Sequence, residues 1–145
     1  MTPREITLIK TSFRQIAPIS EQAAALFYAR LFELDPSLRE LFHGDMAEQG
    51  RKLMHVLGLM VGGVERLSDL APGVRLLGLR HASYRVRDEH YDTVGAALLW
   101  TLEKGIGTGF TAEVRNAWAK VYWQLAEMMK AGARDGLAMQ SRAVA

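Results

Sequence analysis

The chain of 145 residues contains no cysteine, which excludes disulfide bonds, thiolate metal sites and a cysteine nucleophile. It also lacks any apolar run that approaches the about 20 residues needed to cross a lipid bilayer. The first ten residues include Arg4 and Glu5 where a signal peptide would build an apolar run. We therefore expect a cytoplasmic protein, whose redox chemistry, if it has any, depends on a cofactor.

An excess of one charge sign is also missing, since 18 basic residues stand against 16 acidic ones and alternate along the chain. A nucleic-acid-binding protein usually carries a basic stripe or patch instead. With 49% hydrophobic and 23% charged residues, the composition is that of an ordinary globular domain. We expect one domain with a single core, and neither a nucleic acid nor a membrane as a partner.

Helix-start signals recur along the chain, and no segment combines strict two-residue alternation with turn residues on both sides. The predicted helices cover residues 3–17, 21–34, 36–42, 45–66, a short segment between Pro72-Gly73 and about Tyr84, 89–104 and 112–134. Ser20 and Asp88 are the expected N-caps of the helices over 21–34 and 89–104. Residues 136–145 are expected to fray, which leaves a domain over 1–135. The sequence thus predicts an all-α fold of seven or eight helices, too uneven in length for a symmetric four-helix bundle.

One histidine lies on the apolar face of the short helix before Tyr84. At 100° per residue, Leu77 and His81 lie within about 40° of each other, so the imidazole should point into the core. A core histidine that is hydrogen-bonded to a carbonyl group is the more common case, and a metal ligand is the alternative. The spacing alone leaves both readings open.

Two further polar side chains share apolar faces. Gln49 lies in line with Leu53, Val56 and Met60, within about 60° of arc on a long helix. It could simply mark the edge of the core. Tyr28 lies on an apolar face of the second helix, where any backbone carbonyl group could accept a hydrogen bond from its hydroxyl.

Together, several motifs resemble the globin family. FYARLF, QGRKLM, HASYRV and HYDTVG, with Pro36 and Leu41-Phe42, are similar to bacterial single-domain globins and to the heme domain of flavohemoglobins. The resemblance extends from about Arg4 to Arg134. It implies a globin fold around heme b, with His81 as the proximal iron ligand, Phe42 against the porphyrin, and Tyr28 and Gln49 on the distal side.

The resemblance also implies a wider set of heme contacts. This set comprises Phe42, Lys52, Leu53, Val56, Leu77, Arg80, Tyr84, Val86, Tyr91 and Val94. Lys52 and Arg80 could reach the heme propionates or could equally be solvated surface charges. The remaining histidines, His43, His55 and His90, are expected to be exposed, and Met60 is expected to line the cavity.

The sequence departs from the flavohemoglobin pattern in two respects. Ala133 stands where those proteins place a glutamate that strengthens electron donation by the proximal histidine, and Glu127 lies nearly two turns earlier. A chain of this length has no room for FAD- and NAD-binding domains, and GIGTG over 105–109 follows a helix instead of a strand. Turnover with NADH would therefore need a separate reductase.

The resemblance implies reversible, tight binding of oxygen, and binding of nitric oxide and carbon monoxide. Tyr28 and Gln49 would each donate a hydrogen bond to bound oxygen. Oxygen transport and nitric oxide detoxification, as a nitric oxide dioxygenase with an external reductase, are the expected roles. The alternative is a six-coordinate heme sensor or electron-transfer globin, in which an internal side chain closes the sixth iron position. A monomer or a weak homodimer is expected.

Overall fold

The computed structural model describes the backbone of residues 1–83 and 85–144 and the side chains of residues 1–82 and 85–135. Among the described residues there is no β-strand, so the predicted all-α class is confirmed. The six α-helices are α1 (Pro3–Ile16), α2 (Ser20–Leu34), α3 (Met46–Gly62), α4 (Leu67–Ser83), α5 (Asp88–Ile106) and α6 (Ala112–Val144). Four short 3₁₀ turns connect them, at Ala17–Ile19, Pro36–Leu41, Val64–Arg66 and Gly107–Gly109.

Capping side chains fix the starts of α1 and α3. The Thr2 hydroxyl accepts a hydrogen bond from the Glu5 amide at 3.1 Å, and the Glu5 carboxylate accepts one from the Thr2 amide at 3.0 Å. The Asp45 carboxylate likewise accepts a hydrogen bond from the Ala47 amide at 3.0 Å. These bonds satisfy amides that would otherwise lack an intrahelical partner, so both starts lie where the local sequence predicted them.

The prediction of a turn before a short helix was wrong for α4. Pro72 lies inside this helix, which runs unbroken from Leu67 to Ser83. Pro72 has no amide to donate to the Ser68 carbonyl oxygen and its ring crowds that carbonyl group, although its fixed φ is compatible with a helix. Buried Val74 anchors the middle of the helix in the core, so the helix tolerates the lost bond.

Other helix bounds also differ from the prediction. The helix expected to continue to Arg66 ends at Gly62, and a 3₁₀ turn over Val64–Arg66 follows it. Asp88 is the first residue of α5 and not its N-cap, because Arg87 takes the capping position. The last helix was expected to end near Arg134 but continues to Val144. After Gly136 this stretch consists mostly of residues that form helices well, and no proline ends it. The fraying expected for 136–145 stays a prediction, since the side chains there lie outside the described residues.

Two glycines allow α4 and α6 to approach each other closely. A Cβ atom added to Gly78 would meet the backbone of Met129, 2.6 Å from the carbonyl carbon. A Cβ atom on Gly132 would lie 2.6 Å from the carbonyl carbon of Arg75. This crossing presses the helix that carries His81 against the backbone of α6.

A buried hydrogen bond joins α1 to α6 at the other end of the core. The indole nitrogen of Trp118 donates to the Ser12 hydroxyl at 2.8 Å, and both residues are only 3% exposed. Ser12 in turn donates to the Leu8 carbonyl oxygen at 2.7 Å. The polar atom of the indole is therefore satisfied while its ring stays in the apolar core.

Within the described part of the chain, each helix is too short or too polar to pass through a lipid bilayer.

Candidate functional site

A largely apolar cavity of about 220 Å³ lies between the helices and receives side chains from all six. Seven of the ten predicted heme contacts line this cavity, as do the three residues predicted to lie next to the iron. The residues that line the cavity include Tyr28, Phe42, Gln49, Leu53, Val56, Leu77, His81, Val86, Tyr91 and Val94. Lys52 and Arg80 are exposed and do not line it, and Tyr84 lies outside the described residues. Distant parts of the sequence thus converge on one site.

His81 presents one free ring nitrogen in this cavity wall. Its Nδ1 lies 2.8 Å from the carbonyl oxygen of Leu77, one turn earlier on α4. A carbonyl oxygen can only accept, so we assign the proton to Nδ1 and leave the Nε2 lone pair free for a metal ion. Burial lowers the pKa of His81, and the bond to Leu77 opposes that shift. The neutral form that binds metals is therefore favoured.

Tyr28 supplies a buried hydroxyl to the same cavity. Its side chain is 8% exposed, and its ring makes edge contacts with Phe27 and Phe42 at centroid distances of 5.0 and 5.4 Å. Burial raises the pKa of Tyr28, while a hydrogen bond with the Gln49 side chain opposes the rise. The phenol therefore stays protonated at neutral pH. The aromatic contacts hold it in place as a hydrogen-bond donor beside an amide.

His90 was predicted to be exposed, and that prediction was wrong. It is 5% exposed and lines the cavity. Its Nδ1 accepts a hydrogen bond at 2.9 Å from the Arg87 amide, which folds the imidazole back over the start of α5. The sequence signal was present, because His90 is the third residue of that helix, the position from which a side chain can cap the preceding amide.

Tyr91 is buried, but its hydroxyl has no hydrogen-bond partner among the described residues. Burial, with a smaller contribution from Asp88, raises the pKa of Tyr91 to about 12. The Lys130 ammonium lies 5.7 Å from the centre of its ring. Ala133, one turn after Met129 on α6, offers no carboxylate to this hydroxyl. The Tyr91 hydroxyl is therefore a buried hydrogen-bond donor with no acceptor among the described residues, although buried polar groups normally have a partner.

Several other residues of the cavity wall were not predicted from the sequence. Tyr122 lines the cavity, and its hydroxyl donates to the Tyr91 carbonyl oxygen at 2.5 Å. Burial raises the pKa of Tyr122 above its usual range. The cavity is also lined by Ile9, Val61 and Trp118, from three different helices. Their apolar periodicity indicated only that they face a core.

His43 and His55 are exposed, as predicted, and neither lines the cavity. Met60 does line it, in agreement with its predicted role. Among the histidines whose side chains are described, only His81 and His90 therefore face this space.

Comparison with known proteins identifies the family. The globin family matches residues 25–129 of this chain. A flavohemoprotein of Xylella fastidiosa (strain 9a5c) is 30% identical over 132 residues, which cover 89% of this chain and 33% of that protein. Neuroglobin-1 of Oncorhynchus mykiss is 28% identical over 151 residues, which cover 94% of this chain and 95% of that protein. The chain thus spans about a third of the flavohemoprotein.

Solved structures share the fold. An engineered carbene transferase from Rhodothermus marinus, described as a candidate nitric oxide dioxygenase, superposes with a TM-score of 0.87 at 24% identity, covering 97% of this chain and 99% of that one. A bacterial globin from Campylobacter jejuni gives a TM-score of 0.81 at 22% identity, covering 92% and 97%. With the family match over most of its length and this fold, the chain belongs to the globins, which bind heme and diatomic gases.

Proposed function

We propose that the cavity holds heme b and that the protein binds oxygen reversibly and tightly. The residues present fit such a group, because an apolar slot is combined with one neutral imidazole whose Nε2 is free. His81 would be the proximal ligand, and Phe42, Leu53, Val56, Leu77, Val86, Tyr91 and Val94 would surround the porphyrin. Bound heme would supply a ferrous iron atom that takes up diatomic gases in a dry pocket.

The observation that carries this proposal is that Tyr28, Gln49 and His81 border one apolar cavity. Oxygen gains partial negative charge when it binds ferrous iron, so a phenol and an amide can each donate a hydrogen bond to it. A hydrogen bond to a charged group contributes about 1.5–3 kcal/mol, or roughly ten- to a hundredfold in affinity. Carbon monoxide is less polar when bound and should gain less.

The edge of the porphyrin is proposed to contact Lys52 and Arg80. Both are exposed and adjoin residues that line the cavity, Leu53 and His81. Their long side chains could cover apolar surface while the charged ends meet the propionates. Tyr84 remains a predicted contact outside the described residues.

Replacement of Tyr28 by phenylalanine tests the distal donor. We expect the oxygen dissociation rate constant to rise about ten- to a hundredfold, because one hydrogen bond to a charged group is lost. The carbon monoxide dissociation rate constant should change much less. Stopped-flow displacement of oxygen by carbon monoxide measures the first, and displacement of carbon monoxide by nitric oxide measures the second.

Tyr122→Phe is the matched control for this experiment. It removes a hydroxyl from the same cavity, but one whose hydrogen bond goes to the Tyr91 carbonyl oxygen. Its oxygen dissociation rate constant should stay close to that of the unaltered protein. Equal rate constants for the two variants would contradict the assignment of Tyr28 as the oxygen-binding donor.

We further propose nitric oxide dioxygenation as an activity of the oxygen-bound protein. Each nitric oxide molecule would take up both atoms of one bound oxygen molecule and leave as nitrate, and the iron would end one electron poorer, in the ferric state. An external reductase would have to return that electron. Similarity to a flavohemoprotein over the part of it that this chain spans supports the proposal.

Mixing the oxygen-bound protein with one equivalent of nitric oxide tests this activity. We expect one nitrate ion to form per heme and the spectrum of the oxygen-bound protein to convert completely to that of the ferric protein after mixing. Nitrite as the main product, or nitrosyl heme without nitrate, would refute it. Protein that is saturated with carbon monoxide before mixing is the control and should form no nitrate.

No observation among the described residues favours the six-coordinate alternative. The exposed His43 and His55 do not line the cavity, and the Nδ1 of His90 already accepts the Arg87 amide. The expected weak homodimer also stays a proposal, for which the exposed Trp123 on α6 offers an apolar contact.

A further inference from the structure

A positively charged stretch adjoins the wall of the cavity that carries His81. Residues 70–87, here called the arginine segment, contain Arg75, Arg80, Arg85 and Arg87 and no acidic residue. Elsewhere the two signs are mixed along the chain. All four arginines are exposed, whereas Leu77, His81 and Val86 of the same segment line the cavity. One short stretch therefore joins the site to a charged surface.

The turn after α4 sets the direction of its last side chains. Arg85 adopts a φ of 68°, a left-handed conformation that non-glycine residues seldom take. Its amide donates to the Ala82 carbonyl oxygen and the Val86 amide donates to the His81 carbonyl oxygen, each at 3.1 Å. As a result Val86 enters the cavity wall, while Arg85 and Arg87 on either side of it are exposed.

Neighbouring acidic residues reduce this charge without cancelling it. Asp35 is one of them, since its pKa is lowered by hydrogen bonds with Ser37 and, to a smaller extent, by the charge of Arg87. Asp88 and Glu89 follow the segment, and the Glu89 carboxylate lies 3.3 Å from the Arg87 guanidinium, with both side chains about two-thirds exposed. Such an exposed pair is weak and leaves both groups open to other partners. When Asp35 is counted with residues 75–89, four arginines stand against three carboxylates and a net charge of +1 remains.

We propose that the arginine segment is the docking surface for an acidic protein that donates single electrons to the ferric site. This inference rests on the proposed heme function, which requires an external reductant. In each transfer the donor loses one electron and ferric iron becomes ferrous, and no bond is made or broken. Complementary charge suits such short-lived complexes, since it speeds encounter and fixes orientation without a large apolar contact. The donor would dock beside the wall that carries His81.

The test compares reduction rates of the full-length, heme-loaded ferric protein under carbon monoxide. A chemically reduced acidic [2Fe–2S] ferredoxin serves as the donor, at ionic strengths of about 0.01 and 0.5 M, where screening differs greatly. The test variant is Arg85→Gln with Arg87→Gln. It keeps the backbone amide of Arg87 that bonds to His90. The matched control is Arg14→Gln with Arg115→Gln, two exposed arginines on α1 and α6.

At low ionic strength we expect the second-order rate constant for reduction of the test variant by ferredoxin to fall about tenfold. Electrostatic steering can raise association rates by about 10- to 10³-fold, so this is a modest part of its range. The control should change less than threefold, and at high ionic strength the variants should converge. Reduction by hexaammineruthenium(II), a small cation, should instead become faster in the test variant. Calorimetry with oxidised ferredoxin should show weaker binding to the test variant, independently of any turnover.

Two results would overturn the docking surface. One is an equal effect of the test and control variants on the ferredoxin rate. The other is faster heme loss from the test variant with no salt-dependent change in that rate, which would confine these arginines to holding the propionates. Neither result would affect the oxygen dissociation measurements on Tyr28→Phe. Failure of the unaltered protein to bind heme would instead refute the proposed function itself.

Discussion

Replacement of His81 by glycine is expected to abolish the stable holoprotein. The imidazole is the proposed proximal ligand, and its Nδ1 bond to Leu77 holds the ring in position. Loss of an outer partner alone typically reduces metal affinity about 10–100-fold, so loss of the ligand should cost more. The transfer of heme to excess apomyoglobin, followed by visible absorption, should be at least a hundredfold faster than for the unaltered protein.

A rescue experiment separates ligation from simple misfolding. Imidazole added at millimolar concentration should enter the gap left in His81→Gly and restore a histidine-like ferrous spectrum. His55→Gly removes an exposed imidazole from α3 and should retain heme like the unaltered protein. Retention of a five-coordinate histidine spectrum by His81→Gly without added imidazole would mean that another residue is the ligand.

Replacement of Gly78 by alanine should strongly destabilise the fold. The added methyl group would press on the backbone of Met129, 2.6 Å from its carbonyl carbon, where no side chain can move aside. Alanine is otherwise the better helix former, but overpacking of this kind costs about 1–3 kcal/mol or more. We expect the free energy of unfolding in urea to fall by at least about 2 kcal/mol. Heme affinity should fall with it, since His81 lies less than one turn away.

Gly73→Ala is the matched control on the same helix. A Cβ atom there meets nothing within 4 Å, so only the helix preference remains. This variant should be stabilised by about 0.5–1 kcal/mol. If both alanine variants gain stability, the close crossing of α4 and α6 does not constrain the fold. Gly62→Ala, on α3 and also in open space, provides a second reference for the intrinsic effect of the substitution.

The starts of α1 and α3 were predictable because their causes are local. The Thr2 cap and the Asp45 cap each satisfy amides within the first turn, so a few residues determine them. Pro72 misled the prediction because its effect depends on where in the helix it falls and on what the helix packs against. The packing of Val74 and the helix crossing at Gly78 are tertiary contacts, which cannot be predicted from the local sequence.

The candidate site, like the helices, could be predicted only in part. The apolar stripes around His81 and Gln49 indicated inward-facing polar groups, and the resemblance to globins gave those groups roles. Tyr122 and Trp118 were not predicted as cavity residues, because an apolar face does not show which part of a core it reaches. The burial of His90 was missed for another reason. Its position at the start of a helix predicts exposure, whereas the same position lets its side chain cap the Arg87 amide and turn into the cavity.

The visible absorption spectrum of the heme-loaded protein tests the central claim most directly. The ferrous protein is recorded without oxygen and again after air is admitted. We predict a five-coordinate ferrous spectrum that converts to a long-lived oxygen complex, because His81 binds one side of the iron and Tyr28 and Gln49 stabilise oxygen on the other. A six-coordinate ferrous spectrum before any gas is added, or failure to bind heme, would contradict the account.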